Sequence, residues 1–269
     1  MDRHGKAILT GTPKGKGIYF KLAQRETFDT NYKTFNFDSY WNTKEKGGFL
    51  DKKEIDDLCR EMPQNVVNQE IYATFLENVG SVFRNVTGHV SKQIKPYDGR
   101  EPVYVGADLA KTQDFTVLLA LRQNGEVLRM DRFGDLDWVL QQQRISAFAR
   151  SFNASLLIDS SGLGDPIYDS LQRQYEKVQG YKFTNQTKKE LIENLSIMLD
   201  QGAITLPDNP VLLSELQLYS YTVSPSGLTQ YNAPEGYHDD SVIALALAAW
   251  LLKGVPQGQI QVGFARRPG

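Results

Sequence analysis

The sequence predicts an α/β protein built on a mixed sheet, an antiparallel meander flanked by helices, with a smaller segment ahead of it. Three observations carry this expectation. Between residues 103 and 133 three apolar runs are separated by turn signals, the last two joined through Asn124-Gly125, a strong hairpin signal. From residue 137 onward, short strand patterns alternate with helical ones. Finally, the segments GADLAKTQD (106–114), LLIDSSG (156–162) and YHDDSVIALALAAW (237–250) each put an Asp where a strand ends or a helix begins, places rigid enough to hold a metal ion.

In chain order, KAILT (6–10) reads as a short strand running into the glycine-rich turn of residues 11–17, after which a helix begins over Ile18 to Gln24. The turn is not a complete Walker A loop, because three residues rather than four separate Gly11 from Gly15, and Gly17 follows Lys16 where Ser or Thr is needed. Tyr32 to Tyr40 is aromatic and partly alternating. Asp51 caps a helix through Arg60, and Pro63-Gln64 precedes an amphipathic helix over Val66 to Leu76. Residues 91–102 combine charge, Pro and Gly as a linker does, placing a domain boundary near 85–102.

Beyond the linker, strands are expected at 103–110, 116–122 and 126–133, a helix at 137–152, a strand at 156–159 and a helix at 165–177. A strand at 181–184 precedes a helix at 187–201, with Thr187 as its cap and Glu190 completing a capping box. Strands at 203–206, 218–223 and 228–231 follow, the last two as a hairpin about Pro225-Gly227, and a helix over 238–253 closes the unit. No internal repeat is present.

Composition sets the class. With 41% hydrophobic and 23% charged residues, the 269-residue chain has the make-up of an ordinary globular protein large enough for one or two domains. A formal charge of −2 gives no global pull toward nucleic acid, so a DNA-binding surface would rest on local basic pairs such as Lys14/Lys16, Lys92/Lys95 and Lys188/Lys189, each of which reads more readily as a solvated face than as a phosphate contact. The single cysteine, Cys59, excludes an internal disulfide and a cysteine-based zinc site, and its neighbours Ile55, Leu58 and Met62 mark it as a small hydrophobe on a helix. No stretch reaches the roughly 18 apolar residues of a membrane span, and no signal peptide opens the chain, so a cytosolic protein is expected.

Asp108 ends the strand in which Val103, Val105 and Ala107 alternate with Tyr104 and Gly106. Asp159 ends the apolar run Leu156-Leu157-Ile158, and His238, Asp239 and Asp240 open an Ala- and Leu-rich helix. Singly, each Asp is equally a cap or a turn former. Three acidic positions from three elements, in a chain without a His/Cys cluster, point to one site for a hard cation, Mg²⁺ or Mn²⁺, rather than zinc.

A meander, a helix, a strand bearing a second acid and a late helix supplying a third resemble the ribonuclease H-like fold. The chain as a whole resembles the large terminase subunit of tailed bacteriophages and prophages, through ILTGTPKGKGIYFKL (8–22), PQNVVNQEIYATFLENVGSVF (63–83), GADLAKTQDFTV (106–117), LLIDSSGLGDPI (156–167), TNQTKKELIENLSIMLDQGAITLP (184–207) and YHDDSVIALALA (237–248). That resemblance implies an endonuclease that cuts concatemeric double-stranded viral DNA during packaging, in the cytoplasm of a bacterial host, with the small terminase subunit and the portal protein as partners. It assigns residues 1–90 to the end of the ATPase region, starting too late for its Walker motifs, so independent ATP hydrolysis is not expected. Residues 91–255 become the nuclease and 256–269 a flexible tail.

By the same resemblance Asp108, Asp159, Asp239 and Asp240 are the catalytic metal ligands, with Asp108 bridging two ions about 4 Å apart, the spacing of two-metal phosphodiester hydrolysis. Asp114 is an auxiliary ligand, and His238 stands behind the ligands as a hydrogen-bond partner or cap. DNA has to reach this acidic cleft past basic groups, for which Lys111, Lys188 and Lys189 are the candidates. Two alternatives stay open: a catalytically inert DNA-binding or packaging scaffold, and an actin-like ATPase of related fold. Residues 109–114 lack the glycines of the latter's phosphate loop.

Overall fold

The computed structural model of the chain describes residues 6–13, 18–75, 79–109, 115–161, 164–223, 229–234 and 236–254. In chain order the helices are α1 (Ile18–Ala23), α2 (Lys52–Glu61), α3 (Gln64–Val66), α4 (Trp138–Ser151), α5 (Gly164–Gln174), α6 (Asn185–Asp200), α7 (Pro210–Leu218) and α8 (Asp240–Lys253). The strands are β1 (Val79–Ser81), β2 (Val90–Ser91), β3 (Val103–Asp108), β4 (Thr116–Arg122), β5 (Val127–Phe133), β6 (Ser155–Asp159), β7 (Val178–Tyr181), β8 (Leu206–Pro207), β9 (Ser220–Val223) and β10 (Thr229–Asn232).

The expected mixed sheet is present, in the order β5-β4-β3-β6-β7. Strands β3, β4 and β5 are antiparallel neighbours, whereas β6 and β7 run parallel to β3. The meander turns at Asn124-Gly125, where Gly125 adopts φ +83°, a conformation that glycine reaches without strain. Every residue of β4 is buried, as befits a central strand covered on both faces.

Side-chain alternation divides the core into two layers. Val103, Val105 and Ala107 of β3 pack with Leu156 and Ile158 of β6 against Ile145, Phe148 and Ala149 of α4 and Leu171 of α5. On the other face Tyr104, Leu119 and Leu157 pack against α6 and α8. Because a strand's side chains alternate, Asp108 and Asp159 project to this second face, and the ladder that pairs Ala107 with Ile158 brings their backbones side by side. Helix α8 is apolar all round and buried from Asp240 through Ala249, an internal helix and not a surface one. Among the described residues no helix is long and apolar enough to cross a membrane.

Several local expectations need correcting. Residues 6–10 form no strand: no described strand pairs with them, and Ile8 and Leu9 are exposed. The helix expected over 66–76 ends at Ile71 through a π-helical turn, with Ala73 at φ +51°. The strand placed at 181–184 is β7, which stops at Tyr181 so that the next three residues can enter α6. Thr184 rather than Thr187 is the cap of α6, Thr187 completing the capping box, while Glu190 accepts from the Gln186 amide. The strand expected at 203–206 is shifted to β8, and α7 was not anticipated, although Asn209-Pro210 supplies its cap and first-turn proline.

Asp51 caps α2 as expected, and Ile55, Val67 and Ile71 form a small separate core with Cys59 half-buried at its edge. Strand β1 pairs with β9, and Phe83 and Val86 join the α6–α8 core, so residues 79–91 pack with the sheet unit. The 225–227 turn and the 256–269 tail lie outside the described residues.

Candidate metal centre

The site is set by how α8 meets β3. A Cβ on Gly106 would stand 1.9 Å from the Ala244 carbonyl oxygen and 2.6 Å from the Ala248 nitrogen, so the helix backbone lies directly on the strand at this glycine. Two residues further along β3 is Asp108, and one helical turn back along α8 are Asp239 and Asp240.

The start of α8 is not capped by its own aspartates: Asp239 occupies the N-cap position without a side-chain capping bond. Instead Glu215, buried on α7, accepts hydrogen bonds from the Ser241 backbone N–H (2.8 Å) and hydroxyl (2.5 Å). An acceptor from another helix thus satisfies donors that the helix itself leaves over. Glu215→Leu is expected to destabilise the fold by about 1–3 kcal/mol, the cost of leaving buried donors unsatisfied, as read by chemical denaturation. A change below about 0.5 kcal/mol would mean that water or a shifted side chain replaces it. Nothing in the sequence pattern marked Glu215, because its partner Ser241 is adjacent only in space.

Asp108 sits amid negative charge. Burial pushes its carboxyl well above the ordinary aspartate range, Asp240, Asp239 and Asp159 push it further in that order, and Lys188 opposes them. Asp159 is 6% exposed and accepts from the Ser161 N–H at 2.8 Å. The His238 Nδ1 lies 3.8 Å from Asp240 Oδ2, and its ring meets Phe115 edge-on at 5.7 Å, with the Arg132 guanidinium 3.5 Å from the centre of the Phe115 ring. On the far side, burial first and then Asp239 and Asp108 raise the Tyr219 phenol, whose O–H donates to the Tyr231 carbonyl at 3.3 Å. Tyr219 was likewise unmarked by the sequence.

The lysines divide. The Lys188 ammonium stands 3.4 Å from Asp239 Oδ2 and 3.2 Å from Asn232 Oδ1, inside the acidic group. Lys189 points along its own helix toward Glu193, at 3.9 Å. Lys92 and Lys95 line a groove of about 740 Å³ whose lining includes none of the four aspartates. Lys14, Lys16, Lys111 and Asp114 lie outside the described residues.

Among the described residues no group of three or more acidic, histidine or cysteine side chains stands close enough together to hold a metal ion. The donors are all oxygen, three of the four carboxylates come from the sheet ends and the first turn of a buried helix, and their shared field falls on Asp108. This set fits a hard divalent ion.

No protein-family model matches the chain. It is similar to the large terminase subunit of Thermus virus P23-45, 28% identical over 207 residues that cover 70% of this chain and 41% of that protein. The chain thus spans about two fifths of the length of this relative. Among solved structures it resembles the magnesium-bound large terminase nuclease of the thermophilic phage G20c, with 26% identity and a TM-score of 0.58, covering 63% of this chain and 96% of that one. The large terminase of a further thermophilic bacteriophage shares the fold over 90% of this chain and 60% of that chain, with TM-score 0.62 at 17% identity. The fold is ribonuclease H-like, and the expected resemblance to large terminase subunits is borne out.

Proposed function

We propose that residues from Val79 onward form a divalent-metal-dependent endonuclease that cuts concatemeric double-stranded DNA during viral genome packaging. The placement of Asp108 and Asp159 at the ends of paired strands, with Asp239 and Asp240 at the start of the helix that lies on β3, carries this proposal. It is supported by the likeness to a nuclease solved with magnesium. Asp108, Asp159, Asp239 and Asp240 are the proposed ligands, and Asp114 is an auxiliary one. These residues would hold divalent ions, two in this proposal, which when bound would supply a metal-activated water and offset charge on the phosphoryl group.

The chain's own residues do the positioning. Strands β3 and β6 hold Asp108 and Asp159 on one face, while Gly106 and Glu215 fix where the first turn of α8 stands. His238 orients Asp240 from behind, restrained by Phe115. Lys189 and Lys111 are the proposed phosphate contacts. The pairing of β1 with β9, and the packing of Phe83 and Val86 in the α6–α8 core, favour a unit boundary just before Val79 over one at residue 91. The preceding segment is proposed as the end of an ATPase region. The setting is the host cytoplasm, with the small terminase subunit and portal protein as partners.

Adding Mn²⁺ or Mg²⁺ to chelator-treated protein should raise its melting temperature. At 100 times the dissociation constant the gain is about 2.7 kcal/mol. Asp159→Asn should lose most of that shift; an equal shift in wild type and variant would remove Asp159 from the site.

A further inference from the structure

Lys188 occupies the first turn of α6, a turn with no acidic residue, where the positive end of the helix dipole disfavours a cation. Its side chain is nevertheless 29% exposed and turned inward, reaching both Asp239 and Asn232. Asp239 holds it there, and it is in turn a cation that offsets the cluster.

We propose that Lys188 is a resident counter-cation of the aspartate cluster, so that a divalent ion must displace its ammonium from Asp239 in order to bind. This rests on the metal-dependent nuclease proposed above. A lysine in this position has two effects of opposite sign. It stabilises the metal-free protein by relieving carboxylate repulsion, and it weakens metal binding by competing for Asp239 Oδ2. Asn232, whose side-chain oxygen accepts from the same ammonium, keeps the lysine aimed at the cluster when the protein is metal-free. Once displaced, the ammonium is left at the rim of the cleft next to the bound ions, where a DNA phosphate would be the remaining anion for it.

The test is calorimetric titration of the full chain with Mn²⁺, together with melting curves in chelator, for wild type, Lys188→Met, Lys188→Arg and Asp108→Asn. Lys188→Met keeps the aliphatic stem and loses the charge. It should melt lower than wild type in chelator, yet bind Mn²⁺ about tenfold more tightly, a coupling of ordinary size between interacting sites. Lys188→Arg should restore wild-type behaviour in both measurements. Mn²⁺ affinity unchanged or weaker in Lys188→Met would overturn the counter-cation role while leaving the metal site standing. If wild type bound no Mn²⁺ and matched Asp108→Asn, the nuclease proposal and this one would fall together. Should Lys188→Met fail to fold, Asn232→Ala tests the same point: loosening the lysine's aim should also tighten Mn²⁺ binding, and no change would count against the proposal.

Discussion

In chelator at neutral pH, Asp108→Asn is expected to be more stable than the wild-type chain. Folding brings this carboxyl into burial and into the field of Asp240, Asp239 and Asp159, all of which raise its proton affinity above that of the unfolded chain. Between the unfolded value, near 3.8, and the raised folded value, the native state holds a proton that the unfolded state has lost. The metal-free fold therefore loses stability as pH rises through that window, and the loss is complete above the folded value. Asn cannot ionise, so this part of the pH dependence should disappear in the variant, which should be the more stable of the two at pH 7. Denaturant titrations of both proteins from pH 4 to 8 read the slope directly. Added Mn²⁺ should invert the order, because only the wild-type chain gains binding energy at this position. A variant less stable than wild type in chelator would mean that Asp108 is compensated in the fold and does not receive the repulsion of the cluster.

Replacing Gly106 is expected to have the largest structural effect. A methyl group there meets backbone atoms of α8 at 1.9 and 2.6 Å, and backbone cannot rotate away as a flexible side chain can. Either the helix lifts from β3 or the strand distorts, so Gly106→Val should cost more than about 3 kcal/mol, above the usual range for overpacking. Lifting α8 also moves Asp239 and Asp240 away from Asp108. At a temperature where the variant is still folded, the Mn²⁺-induced melting shift should therefore be lost along with the stability. A variant within about 0.5 kcal/mol of wild type, in the range of an ordinary surface change, would show that the close approach at Gly106 is not what positions the helix.

The architecture was legible where local pattern and tertiary role agree. The period-two alternation of β3, the Asn124-Gly125 turn and the uniformly apolar α8 each have one structural answer, and the sequence expectation met it. The four aspartates could be singled out because strand ends and a helix start are local features. What failed was decided by partners distant in sequence. KAILT has strand composition but no strand beside it among the described residues. Thr184 and Thr187 are both competent caps, and the end of β7 decides between them. Glu215 meets the start of α8 only because α7 folds back against it, and no spacing along the chain encodes that contact. The inward turn of Lys188 was hidden for the same reason: a lysine in a first turn reads as a surface cation until the acids opposite it are in place.

The most direct test of the central claim is cleavage of supercoiled plasmid by the purified chain with Mg²⁺, with Mn²⁺ and with EDTA, alongside Asp108→Asn and Asp159→Asn shown to be folded. Nicking and linearisation that require the metal, and that fall more than about 100-fold in both variants, beyond the loss of an outer hydrogen-bond partner, are the predicted result. Cleavage that persists in EDTA or survives in folded Asp108→Asn would contradict it.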